Sequence, residues 1–224
     1  MKLVGGMLVR NEADRYLKDT LGHMLSYCDE VVVLDDASTD KTVEIAKKFT
    51  PFVFEKNKSM FHNEIVVRKE LWKHILNRNP NWILILDADE IFEDEIVTRI
   101  DDMMNQSIYD VWGFKLFDMW NETHYRDDKY WKAHNFYHPF LVRNITDYKH
   151  IWNEKPHHCG RFPVSINNLP MGKSNIRLKH LGWMKEKDRI EKYNRYKKFD
   201  PDAKYGWKEQ YESILDESPN LVKF

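Results

Sequence analysis

A mostly parallel α/β sheet flanked by helices is the fold this sequence predicts, and three observations predict it. Val31-Val32-Val33-Leu34 and Ile83-Leu84-Ile85-Leu86 are apolar runs without polar relief, as expected of strands covered on both faces inside a parallel sheet. Each run stops in carboxylates, Asp35-Asp36 and Asp87-Ala88-Asp89-Glu90. Around and between them lie segments with apolar residues at helical spacing, so strands and helices alternate through residue 90 with right-handed crossovers. Sheets of this kind bind ligands beyond the carboxyl ends of their strands, where both acid clusters fall.

Leu3, Val4, Met7, Leu8 and Val9 predict the first strand, closed by Arg10-Asn11-Glu12. Leu17, Leu21, Met24 and Leu25 share one face of a following helix. After the strand at 31–34, Ser38, Thr39 or Asp40 can cap a short helix carrying Val43, Ala46 and Phe49. Pro51 ends it, and Phe52-Val53-Phe54 predicts a third strand. From Asn63 to Asn77 a longer helix sets Val67, Leu71 and Ile75 in one stripe. Arg68 lies beside that stripe, where its stem can snorkel along the apolar edge or its guanidinium can reach a ligand. Beyond Leu86 the two-residue strand period puts Asp87 and Asp89 on one side, within reach of one cation or one polyol. The competing reading makes Asp89 or Glu90 the acidic start of a helix over 93–104.

In the second half the periodicity loosens. Ile96, Ile100, Met103 and Met104 predict one more helix, Val111 to Phe117 a strand, Pro139 to Arg143 another, and Ile176 to Trp183 a last strand running into a turn. Two amphipathic segments follow, one with Ile190, Tyr193 and Tyr196, the other with Trp207, Tyr211, Ile214 and Leu215. Six of the ten His lie between 124 and 158, but their spacing matches no zinc motif.

The 224 residues suffice for one domain with a substantial core. With 35 basic against 36 acidic residues the net charge of −1 leaves no electrostatic footprint for nucleic acid. No run approaches the ~20 apolar residues of a membrane span. The stretch Leu3 to Val9, broken by Gly5-Gly6 and followed by Arg10, does not read as a signal peptide. The expected location is the cytoplasm, with peripheral attachment to a membrane compatible with it. Cys28 and Cys159 stand apart, which argues against a disulfide framework or a thiolate zinc site. The end at Phe224, without an evident cap, is compatible with a domain of a longer, multidomain chain.

Arg10-Asn11-Glu12, then Val33-Leu34-Asp35-Asp36-Ala37-Ser38-Thr39-Asp40-Lys41-Thr42, then Leu86-Asp87-Ala88-Asp89-Glu90 resemble, in that order and at strand ends, the motifs of family 2 glycosyltransferases with the GT-A fold. The resemblance covers residues 1–120 well and the remainder weakly. It implies a single catalytic domain built on a Rossmann-like sheet, with a nucleotide-sugar-binding half over 1–110, a looser, mixed acceptor-side half over 111–183 and a helical tail over 184–224. It implies metal-dependent, inverting transfer of a hexose from an NDP-sugar, UDP favoured, to a glycan or other hydroxyl acceptor.

The residues that would hold the nucleotide sugar are Val9, Arg10, Asp35, Asp36, Arg68 and Asp87. Carboxylates at 35 and 36 are acceptors suited to an imide N–H or a ribose hydroxyl. Asp87, Asp89 and His180 would hold Mn²⁺ or Mg²⁺, the histidine because His180-Leu181-Gly182 is similar to the His-Leu-Gly that closes the domain in relatives. Oxygen ligands suit these cations, which neutralise a diphosphate leaving group. Lys185, Lys187 and Arg189 either balance diphosphate charge or form a solvated helix face.

Inversion requires a base for the acceptor hydroxyl. In similar sequences a His-Glu pair follows an Arg-Asn strand end; after Arg143-Asn144, Glu154 takes that place without the histidine, and Asp147, His157 and His158 are rivals. Trp120, Tyr125, Tyr130, Trp131, Phe136 and Tyr137 offer flat faces to an acceptor sugar or form a second small core. Two other classes are weighed. An NDP-sugar-forming nucleotidyltransferase would want a Gly-rich basic loop after the first strand, whereas Gly5-Gly6 lie inside it. A non-catalytic nucleotide- or sugar-binding module would not need both acid motifs intact.

Overall fold

A computed structural model describes residues 1–224. Its first half alternates as the periodicity predicts: β1 (Leu3–Val9), α1 (Leu17–Met24), β2 (Glu30–Asp35), α2 (Thr42–Phe49), β3 (Val53–Glu55), α3 (Glu64–Leu76) and β4 (Trp82–Ile85). β1 lies between β2 and β4, parallel to both, and β3 joins parallel outside β2. The strand period divides the side chains between two cores. Leu3, Met7, Val31 and Val33 pack with Leu17, Leu21 and Ala46 on one face, while Val4, Val32 and Leu34 pack with Val67, Leu71 and Ile75 on the other. Gly5 and Gly6 let helices press on the central strand from both sides. A Cβ at Gly5 would lie 2.7 Å from Met24 Cε, and one at Gly6 2.3 Å from Ile75 Cδ1.

The second half consists of β5 (Glu90–Phe92), α4 (Glu95–Met104), β6 (Val111–Asp118), β7 (His124–Arg126), β8 (His138–Arg143), β9 (Met171–His180), α5 (Glu186–Phe199), α6 (Lys208–Ser213) and β10 (Leu221–Lys223). This mixed half extends the same sheet, whose order is β3-β2-β1-β4-β8-β6-β9-β5. β8 is antiparallel to β4 and β6, β5 is antiparallel to β9, and β6 and β9 run parallel.

Two alternatives are decided here and one expectation, the helical tail, is corrected. The strand β5 separates the acid cluster from α4, so Asp89 and Glu90 do not start that helix. The tail ends in a strand, β10, paired antiparallel with β7. Of the two readings of the aromatic stretch, burial decides for a second core at its tryptophans: Trp120 and Trp131 pack with Trp183 and Ile214, around the guanidinium of Arg126, 4.7 and 5.2 Å from the two rings. Both cysteines are buried and free. No helix is long and apolar enough to cross a membrane.

Candidate active site

A cleft of about 670 Å³ opens at the carboxyl ends of β1 and β4 and is closed on its far side by the 157–161 loop and α5. Val9, Arg10, Asp36, Arg68, Asp87, Asp89 and His180 all line it. Asp35 and Glu154 do not.

The loops after β1 and β2 clasp each other, which ties the two motifs together in this fold. Asn11 N–H donates to Ser38 Oγ at 2.9 Å, Thr39 N–H to Asn11 Oδ1 at 2.8 Å and Glu12 N–H to Thr42 Oγ1 at 2.7 Å. Asn11 and Ala37 take left-handed backbone, φ 54° and 58°, to make the turns. Asp35 closes the second turn: its carboxylate accepts the backbone N–H of Ser38 at 2.9 Å and the Ser38 hydroxyl, so it supports the loop and is not among the residues that line the cleft. Asp40, among the residues weighed as a cap, accepts the Thr42 N–H at 2.9 Å. Asp36 faces the cleft, where its oxygens accept Met60 N–H at 2.8 Å and Ser59 O–H at 2.6 Å, with Arg10 4.0 Å away. Beside them Phe61 lies under the guanidinium groups of Arg10 and Arg195, at 5.6 and 5.2 Å.

Strand register assembles the acid cluster. β5 pairs Glu90 with His180, and β6 pairs Asp118 with the same His180 from the other side. His180 Nδ1 is 2.8 Å from Asp118 Oδ1, which leaves Nε2 facing Asp89 Oδ2 at 3.4 Å. Lys192 of α5 reaches both, with Nζ 3.1 Å from Asp89 Oδ2 and 3.3 Å from His180 Nε2. Burial opposes charge on Asp89, but Lys192 and His180 outweigh it and hold the carboxyl well below the usual carboxylate range. For His180 burial and Lys192 favour the neutral ring, yet Asp89 and Asp118 prevail and push it up to about 10.

Asp87 belongs to a different network. Its Oδ1 accepts from Arg68 at 3.0 Å and its Oδ2 lies 3.9 Å from Arg161. Arg68, buried, is itself held by Glu64 at 2.7 and 2.9 Å, so it neither snorkels nor points a free guanidinium at the cleft; it positions Asp87. Arg161 grips Glu90 with two bonds of 2.6 and 2.8 Å, and Glu90 accepts the Asp87 N–H at 2.8 Å. Against burial, Arg68 and Arg161 keep Asp87 ionised. The expected three-residue metal cage of Asp87, Asp89 and His180 is therefore not formed as such: Asp87 is turned to its arginines while Asp89 and His180 meet, and no three His, Cys, Asp or Glu side chains are placed to hold one ion.

Glu154 requires a second correction. Its carboxylate is largely exposed and pairs with Lys69 at 2.5 Å, outside the cleft. Of its rivals, His157 and His158 line the cleft, the latter with Nε2 2.8 Å from the Tyr211 hydroxyl, and Asp147 does not.

Asp118, Arg161 and Lys192 were not singled out in the sequence, and Glu12 only as part of the Arg10-Asn11-Glu12 strand end. Asp118 carried a usable signal, an acid at the end of an apolar strand like those at 35 and 87. Glu12 lines the cleft with Oε2 free of hydrogen bonds and 4.0 Å from Arg15, and burial, reinforced by Asp89, outweighs that arginine and lifts it to about 7. Between its ordinary 4.5 and about 7 the native protein then holds a proton that the unfolded chain has lost, so stability falls with rising pH across that window and levels off above it. The loss is on the order of 3 kcal/mol. Urea unfolding in EDTA at about pH 5 and about pH 8 will show a larger decline in wild type than in Glu12→Gln; equal declines would rule out this assignment.

Residues 6–165 match the family model described as glycosyl transferase family 2. The chain belongs to that family. Two uncharacterized proteins, from Mycobacterium tuberculosis and Mycobacterium bovis, are each 23% identical to it over 234 residues, covering 92% of this chain and 52% of their own length. The chain thus spans about half the length of the curated relatives it matches. The 1–349 fragment of S. aureus TarS superimposes with a TM-score of 0.60 at 16% identity, over 96% of this chain and 69% of that one. The same fragment in complex with UDP gives a TM-score of 0.61, also at 16% identity, over 96% and 70%. These likenesses establish the GT-A fold.

The cation that the family fold implies has a fitting donor set. Asp89 and His180 would supply one oxygen and one nitrogen, Asp118 orients the imidazole as a carboxylate behind a metal-bound histidine does, and Gly182, without a Cβ, lets Asp89 and Lys192 close against the backbone there. Mn²⁺ and Mg²⁺ at nucleotide sites commonly take one or two protein ligands and draw the others from phosphate and water.

Proposed function

We propose that this chain is the catalytic domain of an inverting glycosyltransferase that takes a hexose from a UDP-sugar, with Mn²⁺ or Mg²⁺, and delivers it to a hydroxyl of a glycan or other acceptor. One observation carries the reading: a single cleft at the strand ends holds the Asp89–His180 pair backed by Asp118, next to Asp87 fixed by Arg68 and Arg161. Phe61 offers a flat face and Asp36 an acceptor for the nucleoside, with Arg10 beside them. A bound cation, held by Asp89 and His180 with Asp87 alongside, would offset the charge that builds on the departing diphosphate. Asp87, kept ionised between two arginines, is a rigid acceptor for ribose or sugar hydroxyls. TarS has been crystallised with UDP and with UDP-GlcNAc, which makes UDP the base to test first.

Calorimetry with UDP in Mn²⁺ and in EDTA, followed by donor hydrolysis across UDP-, dTDP- and GDP-sugars, tests the proposal. UDP binding strengthened by Mn²⁺ and slow release of UDP from a UDP-sugar are expected. Absence of binding in both buffers together with absence of hydrolysis would overturn it, and pyrophosphate release from NTP plus sugar phosphate would point to a nucleotidyltransferase.

A further inference from the structure

Lys192 is the one participant in the acid cluster that the proposed chemistry leaves without a role. It comes from α5, more than a hundred residues after Asp89, and its side chain is 7% exposed. Its ammonium lies on the face of the Asp89–His180 pair that a cation would use, since His180 Nδ1 is already committed to Asp118. The ring of Trp183, 4.2 Å from Nζ, supplies a third side to the berth. The backbone is shaped around it: a Cβ on Gly182 would lie 2.0 Å from Asp89 Oδ2 and 2.2 Å from Lys192 Nζ, so no other residue at 182 leaves both where they are.

A divalent cation binds carboxylate oxygen at about 2.1 Å, and an ammonium on the same oxygen would repel it at close range. The two cannot occupy this face together. We infer that Lys192 is a built-in counter-cation that competes with the divalent metal for Asp89 and His180, so that metal enters with the nucleoside diphosphate and not ahead of it. This rests on the glycosyltransferase reading of the cleft. The coupling follows from charge. Metal alone must displace a buried ammonium and leave it without a partner, which is strongly unfavourable. A diphosphate brings oxygens for the metal and, at the same time, a new partner for the displaced Lys192. Such coupling is reciprocal, so Lys192 tunes UDP's preference for Mn²⁺ as much as Mn²⁺ affinity itself.

The experiment is Mn²⁺ titration of the full chain by calorimetry, without and with saturating UDP, in wild type, Lys192→Met, Lys192→Arg and Lys198→Met. Lys198 lies on the same helix and lines the same cleft but makes no bond to Asp89, so it reports the effect of removing charge alone. Without UDP, Lys192→Met is expected to bind Mn²⁺ roughly tenfold or more tightly than wild type, and the enhancement by UDP is expected to shrink by the same factor. Lys192→Arg and Lys198→Met should resemble wild type. If Lys192→Met fails to fold by circular dichroism, Lys192→Gln, which keeps a hydrogen bond without the charge, serves in its place with the same expectation. Mn²⁺ affinity in the neutral variant equal to or weaker than wild type, or an equal gain in Lys198→Met, overturns the inference and leaves sugar transfer standing. A protein that binds neither Mn²⁺ nor UDP in any form overturns both.

Discussion

Asp89→Asn will reduce sugar transfer by about two to three orders of magnitude, corresponding to the ~3–4 kcal/mol that one well-placed charge contributes to stabilising a transition state. The substitution keeps the shape and removes the charge. Asp89 is the point where the cluster converges: His180 Nε2 and Lys192 Nζ both face its Oδ2, and together they keep it ionised against its burial. With a neutral amide there, the site loses the anion that would hold a cation in front of the donor diphosphate, so UDP binding in Mn²⁺ should weaken toward its value in EDTA. The same change leaves Lys192 buried without its carboxylate, so unfolding must be measured alongside turnover. Transfer at the wild-type rate by a folded Asp89→Asn protein would remove the cluster from the reaction. If turnover falls only in proportion to the folded fraction, Asp89 is structural.

That prediction concerns a residue legible in the sequence, and the reason it was legible is local. Carboxylates directly after a buried strand have two-residue geometry to place them and no other obvious partner, so Asp36, Asp87 and Asp89 could be assigned to the strand ends and do line the cleft. The alternation from β1 to β4 was visible for the same reason, because each strand and helix carries its own period. What lay beyond reach depends on pairing between distant segments. β5 is three residues long, too short to display a period, yet its register with β9 brings Asp89 to His180. The parallel partnership of β6 with β9 brings Asp118 there too, and no local pattern encodes it. Asp35 and Asp36 are adjacent and chemically identical, and only the Ser38 turn separates a loop support from a cleft residue. Glu154 was placed by its distance along the chain from Arg143-Asn144, but the segment between β8 and β9 has no regular strand or α-helix to hold that distance as a direction, and Lys69 takes the carboxylate instead.

Arg161 shows how strongly such a distant partner can hold the site, and Arg161→Met is expected to lower the free energy of unfolding by about 3–5 kcal/mol. Its guanidinium makes two bonds to the carboxylate of Glu90, whose side chain is 2% exposed, a third to the Ile85 carbonyl at 3.2 Å, and packs 4.3 Å from the ring of Phe140. Methionine retains much of the apolar stem but leaves Glu90 as an unpaired buried charge. For a chain of this size the loss corresponds to a fall in Tm of roughly 10 °C. The decisive comparison is the double variant Arg161→Met/Glu90→Gln. If the damage comes from the uncompensated carboxylate, neutralising Glu90 recovers part of the stability and the two changes are less than additive; full additivity would show that the pair is not coupled. The double variant separates fold from function as well. Glu90 anchors the Asp87 N–H and Arg161 faces the Asp87 carboxylate, so a protein restored in stability but lacking both will still hold Asp87 through Arg68 alone. Weaker UDP-sugar binding in that restored protein would identify the Arg161–Glu90 pair as the element that aims Asp87 into the cleft, and unchanged binding would assign that role to Arg68.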